Sequence, residues 1–355
     1  MSSVATDRTD RPGAEGPDAV AETAGTQEAV ARRRRSRRLR LVTIVVFGAL
    51  MCLGPVLFTT DYSASVLDEL LLYAVAGIGF FLILGLSGQF AFSQAAVFGI
   101  GAYASAWAGH YTGFWLSVLF AVFVACVVTA LVGLLLRRTN ELYFAIATLG
   151  VSQVCVIVFR QWTGFTAPGG EVALVNVPHV FGFVVNTPER YYWMCLVALT
   201  VALALATLIV ISPLGRDTTA VRDRPAAAAG LGISVVRNRV TVYVLGSAFA
   251  ALAGAFYAHM EGFISPDSFS LNLGIDLFLV VILGGLYSVW GAVLGAAFVV
   301  GVPEIARGAA EHRDLIFSVV LVVAIIAFPD GLIGAGNRLL SLAGSLTRRG
   351  GSHGA

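Results

Sequence analysis

The chain has 355 residues, 57% hydrophobic and 12% charged, with a mean hydropathy of +0.84. An average soluble domain carries about 25% charged residues, so too few charges remain here to cover a water-facing surface, and the bilayer is the solvent for most of the chain. All 23 basic residues are arginine and the net charge is +2, which gives no reason to expect a nucleic-acid partner.

Residues 1–38 form the first segment, of which 1–30 are rich in Ala, Gly, Thr, Asp and Glu and without apolar periodicity. Such a stretch buries too little surface to offset its ordering entropy, and it reads as a disordered basic cytoplasmic tail. It runs into Arg32-Arg33-Arg34-Arg35-Ser36-Arg37-Arg38-Leu39-Arg40, a block directly before the first apolar run that holds the N-terminus inside. The run around Arg37 and Arg38 is similar to a twin-arginine export signal, but the many apolar runs that follow favour a membrane anchor.

Runs of apolar residues place helices near 41–58, 70–86, 90–109, 114–136, 142–159, 191–211, 240–258, 275–289, 290–305 and 314–329. The expected fold is all-α: a polytopic transmembrane bundle of about ten spans, eight at the low end, occupying 39–335 with both termini cytoplasmic. Residues 336–355 make a C-terminal tail. The pair 275–289 and 290–305 is nearly continuous, so it reads either as two spans or as a re-entrant hairpin. Starting inside, this count puts Arg137, Arg138, Arg216, Arg222, Arg224, Arg237 and Arg239 in inside connections, and only Arg160, Arg190, Arg307 and Arg313 outside.

Catalytic chemistry finds no foothold. A chain without lysine has no Walker A sequence, HExxH is absent, and the single GxSxG match, at 350–354, lies in the C-terminal tail outside any apolar run. Cys52, Cys126, Cys155 and Cys195 lie in apolar runs without metal-ligand spacing, and no metal site is expected. Asp276 and Glu304 fall near predicted span ends, within reach of water. Gly284, Gly285, Gly291 and Gly295 read as helix-packing positions, the last pair in GxxxG spacing.

Two segments depart from plain hydropathy. Between Gly85 and Gln94 the polar residues Ser87, Gln89, Ser93 and Gln94 interrupt apolar sequence. Irregular backbone at membrane depth persists only where it lines a cavity or is buried in protein, so these residues, with Gly88, are the first candidates for a pathway, and interhelical hydrogen bonding is the competing reading. The inside loop 212–238 is long, basic and patterned like a helix: Pro213 and Gly215 open it, Thr218 or Thr219 caps it, alanines favour it, and Gly230 and Gly232 end it. The outside segment 160–190 is too rich in turn residues to be a span.

The order of residues in that loop, Gly215-Arg216, Ala220-Val221-Arg222-Asp223, Ala227-Ala228 and Gly230-Leu231-Gly232-Ile233, resembles the coupling loop of branched-chain amino acid ABC importer permeases, the LivM-like family. Gly85-Leu86-Ser87-Gly88-Gln89 followed by Phe98-Gly99-Ile100-Gly101-Ala102-Tyr103 is similar to a second signature of the family. Leu142-Tyr143-Phe144-Ala145-Ile146-Ala147-Thr148-Leu149 is similar to a third, and the run from Leu283 to Gly295, continuing to Pro303-Glu304, to a fourth.

The resemblance implies a transport subunit with no ATPase site and no cofactor of its own. It would form half of a pathway for leucine, isoleucine, valine or similar amino acids, and urea or short-chain amides are the alternative within the class. Implied partners are a second related permease, two ABC ATPases that use the ATP, an extracytoplasmic binding protein and the lipid bilayer; segment 160–190, long for a passive connection, is read as helping to receive the binding protein, with an inert surface loop as the competing reading. Gly215, Arg216, Ala220, Arg222, Asp223, Ala227, Gly230 and Gly232 would couple to an ATPase; Ser87, Gly88, Gln89, Ser93, Gln94 and Tyr103 would line the pathway. The chain departs from the family in having Ala91, Ser93 and Gln94 where a histidine and small polar residues are common. Arg224, Pro225, Ala228 and Ala229 stand where acidic residues are common, which implies a more basic ATPase contact. A stand-alone secondary transporter, the reading from another class, calls for mid-span charges and no docking helix.

Overall fold

The computed structural model describes residues 61–162, 170–173, 179–180, 183–184, 187–307, 313–327 and 331–334. The predicted span 41–58 and both predicted tails lie outside these residues. Five of the described helices are long and apolar enough to cross a membrane, and shorter apolar helices accompany them.

Helix α1 (Asp61–Phe80) runs without interruption into a π-helical turn, Phe81–Leu86. It starts nine residues before the predicted span because Asp68 and Glu69 depress the local hydropathy, yet Asp68 is fully buried. After the break come α2 (Gln94–Gly109), α3 (Phe114–Leu135) and α4 (Glu141–Gln161). Next are α5 (Pro188–Ile211), the short α6 (Pro213–Asp223) and α7 (Pro225–Gly230), and the 27-residue α8 (Val235–Glu261). Then come α9 (Leu271–Gly284), α10 (Val289–Ile305) and α11 (Arg313–Ala327), followed by a helical turn at 331–334. Two-residue strands interrupt the all-α pattern: β1 (Val172–Ala173) pairs antiparallel with β4 (Phe263–Ile264), and β2 (His179–Val180) with β3 (Phe183–Val184).

Helix α8 is the axis of the packing, in contact with α1, α2 and α3. Its small residues let backbones touch, as membrane helices lacking a hydrophobic drive between them require. A methyl group at Gly79 of α1 would sit 2.2 Å from the Gly246 carbonyl oxygen, and one at Gly254 would sit 1.9 Å from that of Phe98. Helices α3 and α4 are peripheral, with 28% of their apolar window buried against 83% for α1. Their outer faces carry Leu119, Phe123, Leu135, Leu142 and Ile146, all more than 60% exposed. In water such a surface would aggregate; against lipid tails it carries no penalty.

Side-chain contacts sort the bundle into two ends. At one, Arg239 pairs with Glu141, and Gly133 of α3 approaches Tyr243 of α8. At the other, Arg160 pairs with Asp267, Tyr191 donates to the Phe256 carbonyl, and Phe114 packs on His259. The first, basic end also receives Arg137, Arg138, Arg216, Arg222, Arg224 and Arg237 from the adjoining helix ends, whereas Arg190 and Arg307 fall at the opposite end. Helices α9 and α10, 14 and 17 residues long, pack on each other across a turn at 285–288. At ~1.5 Å per residue they reach ~21 and ~26 Å, short of a hydrocarbon core of ~30 Å.

Candidate functional site

The loop 212–238 is a two-part helix, and its start differs from the expectation. Ser212, not Thr218 or Thr219, is the N-cap: its hydroxyl accepts from the Gly215 N–H, and Pro213 takes the first helical position, where no N–H is needed. Thr218 and Thr219 sit inside α6 and donate back to the carbonyls of Leu214 and Gly215. Arg224, at φ −148° and ψ 84°, separates α6 from α7, because the proline that follows disfavours helical backbone before it. Helix α7 closes on Gly232 (φ +84°), whose N–H bonds to the Ala229 carbonyl while that of Ile233 bonds to Ala228. This is the paired closure of a left-handed glycine cap. Ser234 then caps α8.

This geometry divides the predicted coupling residues. Gly215, Thr218, Val221 and, on α7, Ala228 are buried against the bundle, and Arg222 is half-buried with them. Arg216, Ala220, Asp223, Ala227, Gly230 and Gly232 face outward, as do Arg224 and Leu231. The outward set is a compact surface of small residues framed by charges, which suits a protein partner fitting closely over it.

Next to this surface lies the polar break. At the end of the π turn the N–H groups of Ser87, Gln89 and Gly88 bond to the carbonyls of Leu82, Ile83 and Leu84, so the reversal passes over the Gly85 carbonyl. Gly88 makes the turn at φ +73°. The Gln89 Nε2 donates to Ser87 Oγ (2.6 Å) and to the Arg239 carbonyl (3.1 Å). Ser93 Oγ lies 2.6 Å from the Tyr243 hydroxyl, and Gln94 Nε2 donates to Ser247 Oγ at 3.1 Å. Ser87, Gln89, Ser93 and Gln94 are all buried, holding the break against α8. Tyr103 is buried too, but at the opposite end, where its hydroxyl donates to the Gly170 carbonyl and its ring stacks on Phe159. A cleft of about 30 Å³, room for about one water, opens beside Gln89, Arg137, Glu141 and Arg239.

The predicted packing glycines meet at the α9–α10 turn. Methyl groups at Gly284 and Gly295 would each lie 1.8 Å from a carbonyl oxygen, those of Gly291 and Val280. Gly285 turns the chain at φ +118°.

Sequence reasoning misses two features. Both carboxyl oxygens of Asp68 lack a hydrogen-bond partner among the described residues. At the opposite end, a cavity of about 240 Å³ brings Glu69, Asp276 and Glu304 together with Tyr62 and Tyr73. Along the sequence Asp276 and Glu304 belong to separate span ends; only the packing of α1 on α9 and α10 joins them. No group of three or more His, Cys, Asp or Glu suited to a metal ion occurs among the described residues.

Apolar helices built to face lipid, carrying a capped two-part helix at their basic end, define a membrane protein rather than a soluble module. The model of the family described as "Branched-chain amino acid transport system / permease component" matches residues 62–328, and the chain belongs to that family. It is 30% identical over 298 residues to the high-affinity branched-chain amino acid transport system permease protein LivM of Salmonella typhimurium, covering 76% of this chain and 70% of the relative. It is 27% identical to the corresponding LivH of Escherichia coli K12, over 74% of this chain and 91% of the relative. The autoinducer 2 import system permease protein LsrC of Escherichia coli O9:H4 is 28% identical over 60% of this chain and 66% of its own length. No solved structure matches the chain.

Proposed function

We propose that this chain is a multi-pass permease subunit of an ATP-driven importer in a bacterial plasma membrane, forming half of the pathway for leucine, isoleucine, valine or similar amino acids. The second half is a related permease, two ATPases dock at the basic, cytoplasmic end, and a binding protein delivers solute from outside. The observation that carries the reading is the outward face of α6 and α7, with Arg216, Ala220, Asp223, Ala227 and Gly230 exposed on helices capped at Ser212 and Gly232.

No bond in the solute changes. ATP binds one arrangement of the ATPase pair better than the other, and that differential affinity drives the cavity from inward-facing to outward-facing. The break at Gly85 to Gln94 is the element we place next to the pathway: its side chains hydrogen-bond to α8, and Gln89 alone of its polar residues borders a cleft. Segment 160–190 with β4 receives the binding protein.

The test is ATP-driven uptake of labelled leucine into proteoliposomes containing the chain, its partner permease, ATPases and binding protein. ATP-dependent uptake is expected. Solute movement by the chain alone, without an ATPase, would contradict the proposal.

A further inference from the structure

We infer that Arg222 is a positioning residue that fastens the coupling helix to the two irregular turns of the membrane domain, so that α6 moves them as one body. The inference rests on the importer reading above.

Arg222 is the charged residue of the inward row of α6, with a side chain only 27% exposed. Its Nη1 donates to the Gly85 carbonyl at 2.5 Å. That carbonyl is the one the widened helix end passes over, and a backbone acceptor withdrawn from water needs a donor. The aliphatic stem of Arg222 covers Gly88: a methyl group there would sit 2.8 Å from Cγ. The guanidinium lies over the ring of Tyr287, 5.6 Å from its centre, in the turn between α9 and α10. Its Nε donates to Asp223 Oδ1 at 3.1 Å, fixing the side chain to its own helix.

The two turns also touch each other. A methyl group on Gly85 would meet the Leu286 carbonyl oxygen at 2.4 Å. One planar cation therefore bridges α6, the end of α1 and the α9–α10 turn through a hydrogen bond, a stem contact and a ring contact. Lysine reproduces the charge but not the planar fork that bonds and stacks at once. Glycine at position 88 serves the turn and also leaves room for the stem. Arg216, one helical turn and a half earlier, faces outward and has neither contact. The same helix thus carries one arginine for the partner and one for the bundle.

The experiment measures ATP hydrolysis and leucine uptake in parallel on the full reconstituted complex, for the wild type, R222A, R222K, R222Q, Y287L, R222A/Y287L and R216A. A positioning role is expected to lower uptake per ATP hydrolysed at least tenfold in R222A, with the ATPase still co-purifying and hydrolysis continuing. R222K recovers part of the ratio, Y287L lowers it less, and R222A/Y287L falls short of the product of the two single effects because both remove one contact. R216A instead loses the ATPase. Hydrogen exchange of the purified chain adds a readout independent of transport: amides at Gly88 and Gln89 are expected to exchange faster in R222A and R222Q. An unchanged ratio with unchanged exchange in these variants overturns the inference, as does loss of the ATPase from R222A to the same degree as from R216A. If R222A fails to assemble, R222Q and Y287L decide by the same criteria. A wild-type complex that retains no ATPase overturns the importer reading itself, and that outcome is distinct from every result on the variants.

Discussion

Ser93 and Tyr243, 150 residues apart, share a buried hydrogen bond of 2.6 Å that joins the start of α2 to the first third of α8. Together with the bonds from Gln89 to the Arg239 carbonyl and from Gln94 to Ser247, it makes the polar break a seam against the central helix. Removing one partner strands the other in an apolar site. Tyr243→Phe and Ser93→Ala are each expected to cost about 1 kcal/mol, and the double variant less than the sum of the two. Thermal unfolding in detergent checks this; strict additivity contradicts it.

Glycines supply a pair of opposite predictions. Gly79→Ala places a methyl group 2.2 Å from the Gly246 carbonyl oxygen, with Phe249 beside it, so backbones must separate. A loss of about 1–3 kcal/mol is expected. Gly150 is exposed in α4, and a methyl group there would meet nothing within 4 Å. Gly150→Ala is therefore expected to gain about 0.5–1 kcal/mol through helix propensity. Equal shifts of the two variants in the same unfolding assay would contradict the packing described for α1 on α8.

Asp68, on α1, lies near Tyr191, Tyr192 and Cys195 of α5, fully buried, with neither oxygen hydrogen-bonded among the described residues. A polar group in that state costs stability, and replacing it leaves stability equal or higher. Asp68→Asn removes the capacity for charge at nearly constant volume and is expected to hold or raise the unfolding temperature. A fall corresponding to more than about 1 kcal/mol would mean that the carboxylate is engaged in the folded protein.

Helix α3 offers a test of the lipid-facing surface. Phe123 is 65% exposed and Ala121 and Ala125 are fully buried, although all three belong to one uniformly apolar run. In a background with the native cysteines replaced, a cysteine at Phe123 is expected to react with a membrane-dissolved maleimide and one at Ala125 to remain unlabelled. Equal labelling at both positions contradicts the packing of α3 on α2 and α8.

Much of this architecture is legible in the residues. Helix α3, expected over 114–136, ends at Leu135 because an unbroken apolar run has one boundary by any measure. Hydropathy truncates α1 because it treats Asp68 as a boundary, whereas packing against α5 buries that residue. In the loop, Pro225 carries the signal for a second helix start, and the serine-proline pair at 212–213 the signal for the cap; the threonines at 218 and 219 compete with both. The direction of Arg222 is not legible at all. Its carbonyl partner, Gly85, lies 137 residues away and is free only because the helix end widens, a backbone event that no residue type marks. Tyr103 groups with the break along the sequence because the two motifs follow each other closely, but α2 carries Tyr103 to the other end of the bundle.

The central claim, that the outward face of α6 and α7 docks an ATPase, is tested most directly by cross-linking at two adjacent positions. Ala227 is exposed and Ala228 is 2% exposed, on the same turn of α7. With the native cysteines replaced, a single cysteine at Ala227 is expected to cross-link to the ATPase subunit of the assembled complex, and one at Ala228 is not. Cross-linking at neither position, in a complex that still takes up leucine, would contradict the account.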